Sequence, residues 1–185
     1  MQSMTDKQLR PLIRCQLAQE FRGSALIEEL PLQRIKKADL AIVNDCLRGY
    51  EIKSDHDRLN RLPEQIPFYD AVFDFCSIIA APRFVKKATS LAGPHWGIFV
   101  IQPTGEIQNL RPATQNPFVQ VQAICQLLWK PEAIRLLRQY GNPLPAKSCV
   151  KKVWRELEHI PYESLSAYIR STITGRKVTE GHALL

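Results

Sequence analysis

ADLAIVNDCLRGYEIKS, residues 38–54, is the stretch on which the reading of the fold turns. ADLAIVN (38–44) is rich in small and β-branched apolar groups, NDCLRG (44–49) has turn chemistry, and GYEIKS (49–54) alternates again. Together they predict a β-hairpin. Side chains two apart on a strand share a face, so Glu51 and Lys53 project together. Asp39 joins them if the turn keeps an even pairing sum, which a loop of three or five residues or a compensating bulge provides.

Such a trio has a chemical consequence. Two carboxylates about 4 Å apart repel by ~4 kcal/mol at an effective dielectric of about 20, so a protein that gathers them supplies a proton, a cation or a metal. Mg²⁺ or Mn²⁺ suits hard oxygens: Asp39, Glu51 and the backbone carbonyl of Ile52 would hold the ion and leave places for water and a phosphate oxygen. Metal coordination lowers the pKa of bound water and polarises phosphorus. Lys53 would orient that water or stabilise charge building on the phosphate. An isolated Glu-x-Lys is more often a solvated cross-strand ion pair. Here Leu40, Ile42, Val43, Tyr50 and Ile52 surround the charges with apolar groups.

Outward from the hairpin, TDKQLRPLIRCQLAQEF (5–21) spaces Leu9, Leu12, Ile13, Leu17 and Phe21 near a helical stripe, with Thr5 as N-cap. ALIEEL (25–30) reads as a strand that stops at Pro31. DRLNRLPEQIPFYDAVF (57–73) reads as a helix whose start Pro63 and Pro67 shift or kink. FCSIIAA (75–81) suits a strand buried on both faces, RFVKKATSLA (83–92) a helix, and WGIFVIQ (96–102) with EIQNLRP (106–112) a second hairpin. From Pro117 onward FVQVQAICQLLW and PEAIRLLRQYG read as consecutive helices, followed by a basic helical tail from Cys149. The expected fold class is mixed α/β: a core over residues 1–112 and a helical extension over 113–185 packed on or next to it.

The chain has 185 residues, of which 45% are apolar and 23% charged, which fits one folded domain and excludes a disordered chain. No run of about 18 apolar residues suggests a membrane span. Lys and Arg number 25 against 18 Asp and Glu, a net charge of +7 that suits a polyanionic partner. Cys15, Cys46, Cys76, Cys125 and Cys149 form no CxxC pair and no zinc pattern with the four histidines. They read as buried reduced thiols. With no signal-type apolar core at the N-terminus, the expected location is the cytoplasm.

The order helix, ALIEEL, ADLAIV, GYEIKS, helix, FCSIIAA resembles the core of the PD-(D/E)XK, or restriction-endonuclease-like, nuclease superfamily. Its metal-binding Asp matches Asp39 and its (D/E)XK signature matches Glu51, Ile52 and Lys53. Ala38 stands where the signature has proline. Gln65 and Tyr69 reproduce the QxxxY motif of RecB-like and lambda-exonuclease-like members, and the resemblance implies that they contact nucleic acid or steady the metal site, as part of the catalytic set. A further helix-borne acidic ligand of the superfamily would match Glu20 or, with less support, Glu28 or Glu29. From RIKKADLAIVN to HWGIFVI the chain is similar to a group of small bacterial and phage proteins placed in that superfamily. The likeness spans roughly residues 20 to 102.

The fold expected from this resemblance is a restriction-endonuclease-like mixed central sheet flanked by helices. The expected function is Mg²⁺- or Mn²⁺-dependent hydrolysis of DNA phosphodiesters, with DNA as partner and a homo-oligomer compatible with it. Arg58 and Arg61, three apart near a helix start, would join Gln65 and Tyr69 in holding the nucleic acid. His56 offers a base or extra ligand, although a lone loop histidine is usually neither. Lys147, Lys151, Lys152, Arg155, Arg170, Arg176 and Lys177 could track phosphates, with Trp154 and Tyr168 stacking on bases; such charges are more often a solvated helix face. The alternative function is a non-catalytic nucleic-acid-binding or complex-assembly module on the same fold.

Overall fold

In the computed structural model the structure describes residues 5–179, apart from the side chains of residues 6 and 177–179; Lys177 of the basic tail therefore lies outside the described side chains. Helix α1 (Asp6–Glu20) begins where the Thr5 amide donates to Gln8 Oε1 at 2.9 Å, half of a capping box. It runs through Pro11, which sits on the exposed side and forfeits one amide bond of the helix ladder. Strands β1 (Ala25–Leu32), β2 (Lys36–Val43) and β3 (Leu47–Lys53) follow as an antiparallel meander. β1 does not stop at Pro31 but continues to Leu32, opposite Lys36. It is an edge strand, where proline is tolerated because one side of the backbone makes no ladder bonds.

A 3₁₀ turn (Leu59–Arg61) leads into α2 (Leu62–Asp70), shorter than the stretch from 57 to 73 because Pro63 sets its first turn. β4 (Phe75–Ala80) then pairs parallel with β3, α3 (Pro82–Leu91) crosses over, and β5 (Gly97–Ile101) pairs parallel with β4. Parallel neighbours need such helical crossovers. β6 (Ile107–Arg111) returns antiparallel to β5, so the six-stranded mixed sheet runs β1 to β6 in chain order.

The sheet buries both faces. On one, Leu9, Ile13 and Leu17 of α1 pack against Leu26, Leu40, Ile42, Tyr50, Ile52, Ile79 and Phe99. On the other, Ala41, Val43, Leu47 and Ile78 pack with Leu62, Tyr69 and Phe73 and with the C-terminal helices. Those are α4 (Val121–Cys125), α5 (Lys130–Gln139), α6 (Val150–Leu157) and α7 (Tyr162–Thr179). Ala123, Leu128, Leu137, Trp154 and Ile169 belong to the same apolar cluster as the sheet, so the extension packs directly on the core.

Three expectations are corrected. Residues 117–120 are not helical: Asn116 Nδ2 donates to the carbonyls of Asp70 and Phe73 at 2.8 and 2.7 Å, and the Gln120 amide to Ala71 at 2.9 Å. Tertiary partners thus replace helical ones until Val121. Trp154 is no stacking platform, because it is buried, donates to the Leu128 carbonyl at 3.2 Å and carries Arg34 on its ring. Only Cys76 and Cys125 are buried; Cys15 and Cys149 are exposed and Cys46 is half-buried, all unpaired with one another. Among the described residues no helix is long and apolar enough to cross a membrane.

One glycine on β3 is dictated by packing. A Cβ on Gly49 would stand 2.3 Å from the Phe73 ring, which fills the space a side chain would need. Gly49→Ala is expected to destabilise the fold by about 1–3 kcal/mol, with Phe73→Leu in the same chain restoring part of the loss. Urea unfolding of the single and double variants checks this; an undiminished midpoint in Gly49→Ala would contradict the packing.

Candidate active site

The hairpin closes with Val43 opposite Leu47, leaving Asn44, Asp45 and Cys46 as a three-residue loop. Asn44 Oδ1 accepts the Cys46 amide at 3.1 Å, the side-chain turn that short loops favour. The pairing runs through Ile42 with Arg48 and Ala41 with Gly49 to Leu40 with Tyr50, an even sum that sets Asp39 opposite Glu51 on one face. Lys53 follows on the same face. That face looks toward α2, which brings Gln65 and Tyr69, four apart, over the strands.

The contacts are dense. Asp39 Oδ2 accepts the Ile52 amide at 2.8 Å, and Oδ1 accepts Arg10 Nη2 at 2.7 Å. Glu51 Oε1 accepts Lys53 Nζ at 2.5 Å and Gln65 Nε2 at 2.6 Å, while Oε2 accepts the Tyr69 hydroxyl at 2.6 Å. Gln65 Oε1 in turn accepts Lys53 Nζ at 3.0 Å, and the Tyr69 oxygen accepts the Asp39 amide at 3.1 Å. Asp39, Glu51, Ile52, Lys53 and Gln65 line a groove of ≈ 530 Å³ whose rim carries Arg10, Glu29, Ile35, Lys36, Lys37, Asp57 and Arg61.

Burial sets the electrostatics. Glu51 and Lys53 are buried at 1% and 2% exposure, whereas the Asp39 side chain keeps 19%. Burial raises the Glu51 carboxyl above its ordinary 4.5, and the negative charge of Asp39 raises it further against the pull of Lys53. Asp39 is also raised from 3.8 by burial, opposed by the Ile52 amide and Arg10. Burial, then Glu51, pushes the Tyr69 phenol well above its usual range, so it remains a donor to that carboxylate. A carboxyl raised in the folded state contributes stability that is complete below its ordinary value and lost as the pH climbs through its folded value.

The donor set fits a hard divalent cation. Each carboxylate oxygen has about two lone-pair sites, and both Asp39 oxygens and Glu51 Oε2 spend one each on the contacts above. Among the described residues no group of three or more His, Cys, Asp or Glu side chains is arranged to hold a metal. The remaining places would go to the Ile52 carbonyl and water, in keeping with Mg²⁺, which keeps several waters and takes one or two carboxylates.

Of the other residues singled out, Arg61 lines the groove but Arg58, exposed before the 3₁₀ turn, does not. Glu20, at the exposed C-terminal end of α1, is not among the groove residues. About 15 Å of helix axis separates it from Arg10. Glu28 pairs with Arg14 at 2.8 Å, while Glu29 lines the groove and meets Arg10 and Lys37 at 3.4 Å each. His56 is exposed and lies outside the groove lining. His95 Nε2 and Trp96 Nε1 both meet Asp70 Oδ1 at 2.8 Å, anchoring the end of α2. Arg10 is the contribution that sequence reasoning missed: it adjoins Leu9 of the α1 stripe, but nothing local ties residue 10 to residue 39. A second groove, ≈ 450 Å³ between β1 and the C-terminal helices, holds Arg34, stacked on Trp154, and Arg176, paired with Glu132.

Comparison with known proteins finds relatives of this chain. The family described as Bacteriophage P4 protein cII matches residues 11–184. Protein cII of Enterobacteria phage P4 is 30% identical over 115 residues, covering 57% of this chain and 41% of the relative. The chain thus spans about two fifths of that relative's length. A solved structure, a protein of unknown function from Silicibacter pomeroyi, is 16% identical with a TM-score of 0.47, covering 81% of this chain and 99% of its own.

Because Asp39 helps hold the Glu51 carboxyl high, Asp39→Asn is expected to bring the Glu51 titration down toward its ordinary value. Side-chain carboxyl ¹³C shifts followed against pH measure it. A Glu51 midpoint unchanged or higher in the variant would show that the two acids do not share a field.

Proposed function

The chain belongs to the family of the bacteriophage P4 protein cII, and we propose that it is a Mg²⁺- or Mn²⁺-dependent nuclease of restriction-endonuclease-like fold that hydrolyses DNA phosphodiesters. Neither relative's name states an activity, so the reading rests on one observation: two facing carboxylates and a buried lysine at the floor of a groove with a basic rim. The order of α1, the antiparallel meander, α2 and parallel β4 agrees with the same superfamily resemblance. In this reading the protein works in the cytoplasm, where its substrate is.

Asp39 and Glu51 would hold the ion with the Ile52 carbonyl, and when bound the ion supplies an activated water and a polarised phosphoryl oxygen. Lys53, steadied between Glu51 and Gln65, would offer its positive charge to the attacking water and to the negative charge building on the phosphate. Gln65 bridges Lys53 to Glu51 and so fixes the ammonium relative to the carboxylate. Tyr69 ties Glu51 to the Asp39 backbone and keeps the two strands' acids in register. Lys36, Lys37 and Arg61 on the rim offer phosphate contacts that position the strand.

One observation favours a second reading. Glu51 already receives three protein donors and is sealed from solvent with Lys53, as in a structural ion pair. On that reading the groove binds nucleic acid, or a partner in a complex, without cutting.

Linear, circular and single-stranded DNA incubated with Mg²⁺ or Mn²⁺ separates the two. Asp39→Ala and Lys53→Ala, checked by circular dichroism for retained fold, are expected to lower the cleavage rate by about 10³-fold. Failure of the wild type to cut any substrate with either metal would refute the nuclease; salt-sensitive binding without cutting would establish the second reading.

A further inference from the structure

Of the two carboxylates at the floor of the groove, Glu51 is locked: its pair with Lys53 has side-chain exposures of 2% and 3%. Asp39 is different. It and Arg10 keep 19% and 21% of their side chains open, so this ion pair can part and re-form without disturbing the core. Arg10 comes from α1, whose apolar stripe packs on the opposite face of the sheet, and its guanidinium meets both Asp39 Oδ1 at 2.7 Å and the Asp39 carbonyl at 3.4 Å. A second acid stands beside it: Arg10 Nη1 lies 3.4 Å from Glu29 Oε1, on the edge strand opposite Asp39.

From this geometry we infer that Arg10 is a displaceable counter-cation of the site: it neutralises Asp39 in the metal-free protein, yields that carboxylate to an entering divalent cation, and turns to a phosphate oxygen of the strand in the groove. The inference rests on the metal-dependent reading above and adds an order of events to it. With Asp39, Glu51, Arg10 and Lys53 all charged, the floor sums to zero. A doubly charged ion beside an unmoved guanidinium would be repelled by it, so Arg10 must leave Oδ1 for the ion to settle. Glu29 keeps the released guanidinium at the rim rather than in solvent. With the guanidinium moved to Glu29 the floor then carries a net +1, which a phosphodiester strand neutralises, and the planar guanidinium fork matches phosphate oxygens. The exchange makes Arg10 a brake on metal binding in the absence of substrate and a clamp in its presence. Linkage requires that metal and strand then each favour the other.

The test is metal affinity rather than turnover. Mn²⁺ is titrated calorimetrically into the full chain without DNA. A fluorescein-labelled single-stranded oligonucleotide is then bound in saturating Ca²⁺ and followed by anisotropy. Arg10→Met is expected to bind Mn²⁺ about 10-fold tighter than the wild type, since the competing charge is gone, and the oligonucleotide about 10-fold weaker. Arg10→Lys, which keeps the charge but not the fork, is expected to fall between on both measures, and supplies the answer if Arg10→Met does not fold. Mn²⁺ affinity unchanged or weakened in a folded Arg10→Met would overturn the inference while leaving the metal site standing. Tighter Mn²⁺ with unaltered oligonucleotide binding would overturn its phosphate half. Absence of Mn²⁺ binding in the wild type and every variant would overturn both the inference and the metal-dependent reading beneath it.

Discussion

The three residues between Val43 and Leu47 fix the register of β2 on β3, and the facing of Asp39 and Glu51 follows from that register. Strand faces alternate with period 2, so a slip of one residue would turn Asp39 to the α1 side and press Leu40 or Ile42 toward the groove. The apolar partition forbids the slip. Leu40, Ile42, Tyr50 and Ile52 are claimed by the α1 face, and Ala41, Val43 and Leu47 by the other. Hydrophobic burial on both faces thus holds a pair of like charges opposite one another, which electrostatics alone would separate.

The charges are tolerated because each is answered. Glu51 receives Lys53, Gln65 and Tyr69, and Asp39 receives Arg10 and the Ile52 amide. Burying such groups is poor value for stability: well-packed apolar residues in place of a buried ion pair are often neutral or stabilising. Both carboxyls are raised by burial despite their partners, which marks a residual cost of keeping them ionised. A cluster that is costly to fold, lies at the floor of a groove and is split into a sealed half and an open half is better explained by what it binds than by what it stabilises. The neighbouring clamp of Asp70 on His95 and Trp96 joins α2 to the start of β5.

Much of the architecture was legible because it is local. The hairpin over 38–54, the buried strand FCSIIAA and the β5–β6 return each declare themselves by alternation and turn chemistry. The pairing of Glu51 with Lys53 on one face follows from period alone, whereas Asp39 joins them only because the loop has three residues, a length the structure supplies. What escaped depends on tertiary contact. Pro31 punctuates a strand only if both its edges are paired, and β1 lies at the edge. FVQ (118–120) has helical composition, but Asn116 and Gln120 spend their hydrogen bonds on the end of α2 and the turn after it. Trp154 looked available among lysines, yet amphipathic spacing turned it inward and the lysines outward. Arg10 is 29 residues from its partner across the sheet, whereas Glu20, on the same helix, is not among the groove residues; choosing between them requires knowing which end of α1 overlies Asp39.

Membership of the P4 cII family extends across the C-terminal helices as well as the sheet, and those helices share the sheet's apolar cluster. The family unit therefore includes the groove and the layer that supports it. The central claim, that Asp39 and Glu51 form one cation site at the floor of this groove, is tested most directly by anomalous diffraction from crystals of the protein soaked in Mn²⁺. The account predicts a single strong peak within coordination distance of both carboxylates, with the Arg10 guanidinium withdrawn from Asp39. A map with no peak there, with Arg10 still seated on Asp39 and manganese only at surface acids, would contradict it.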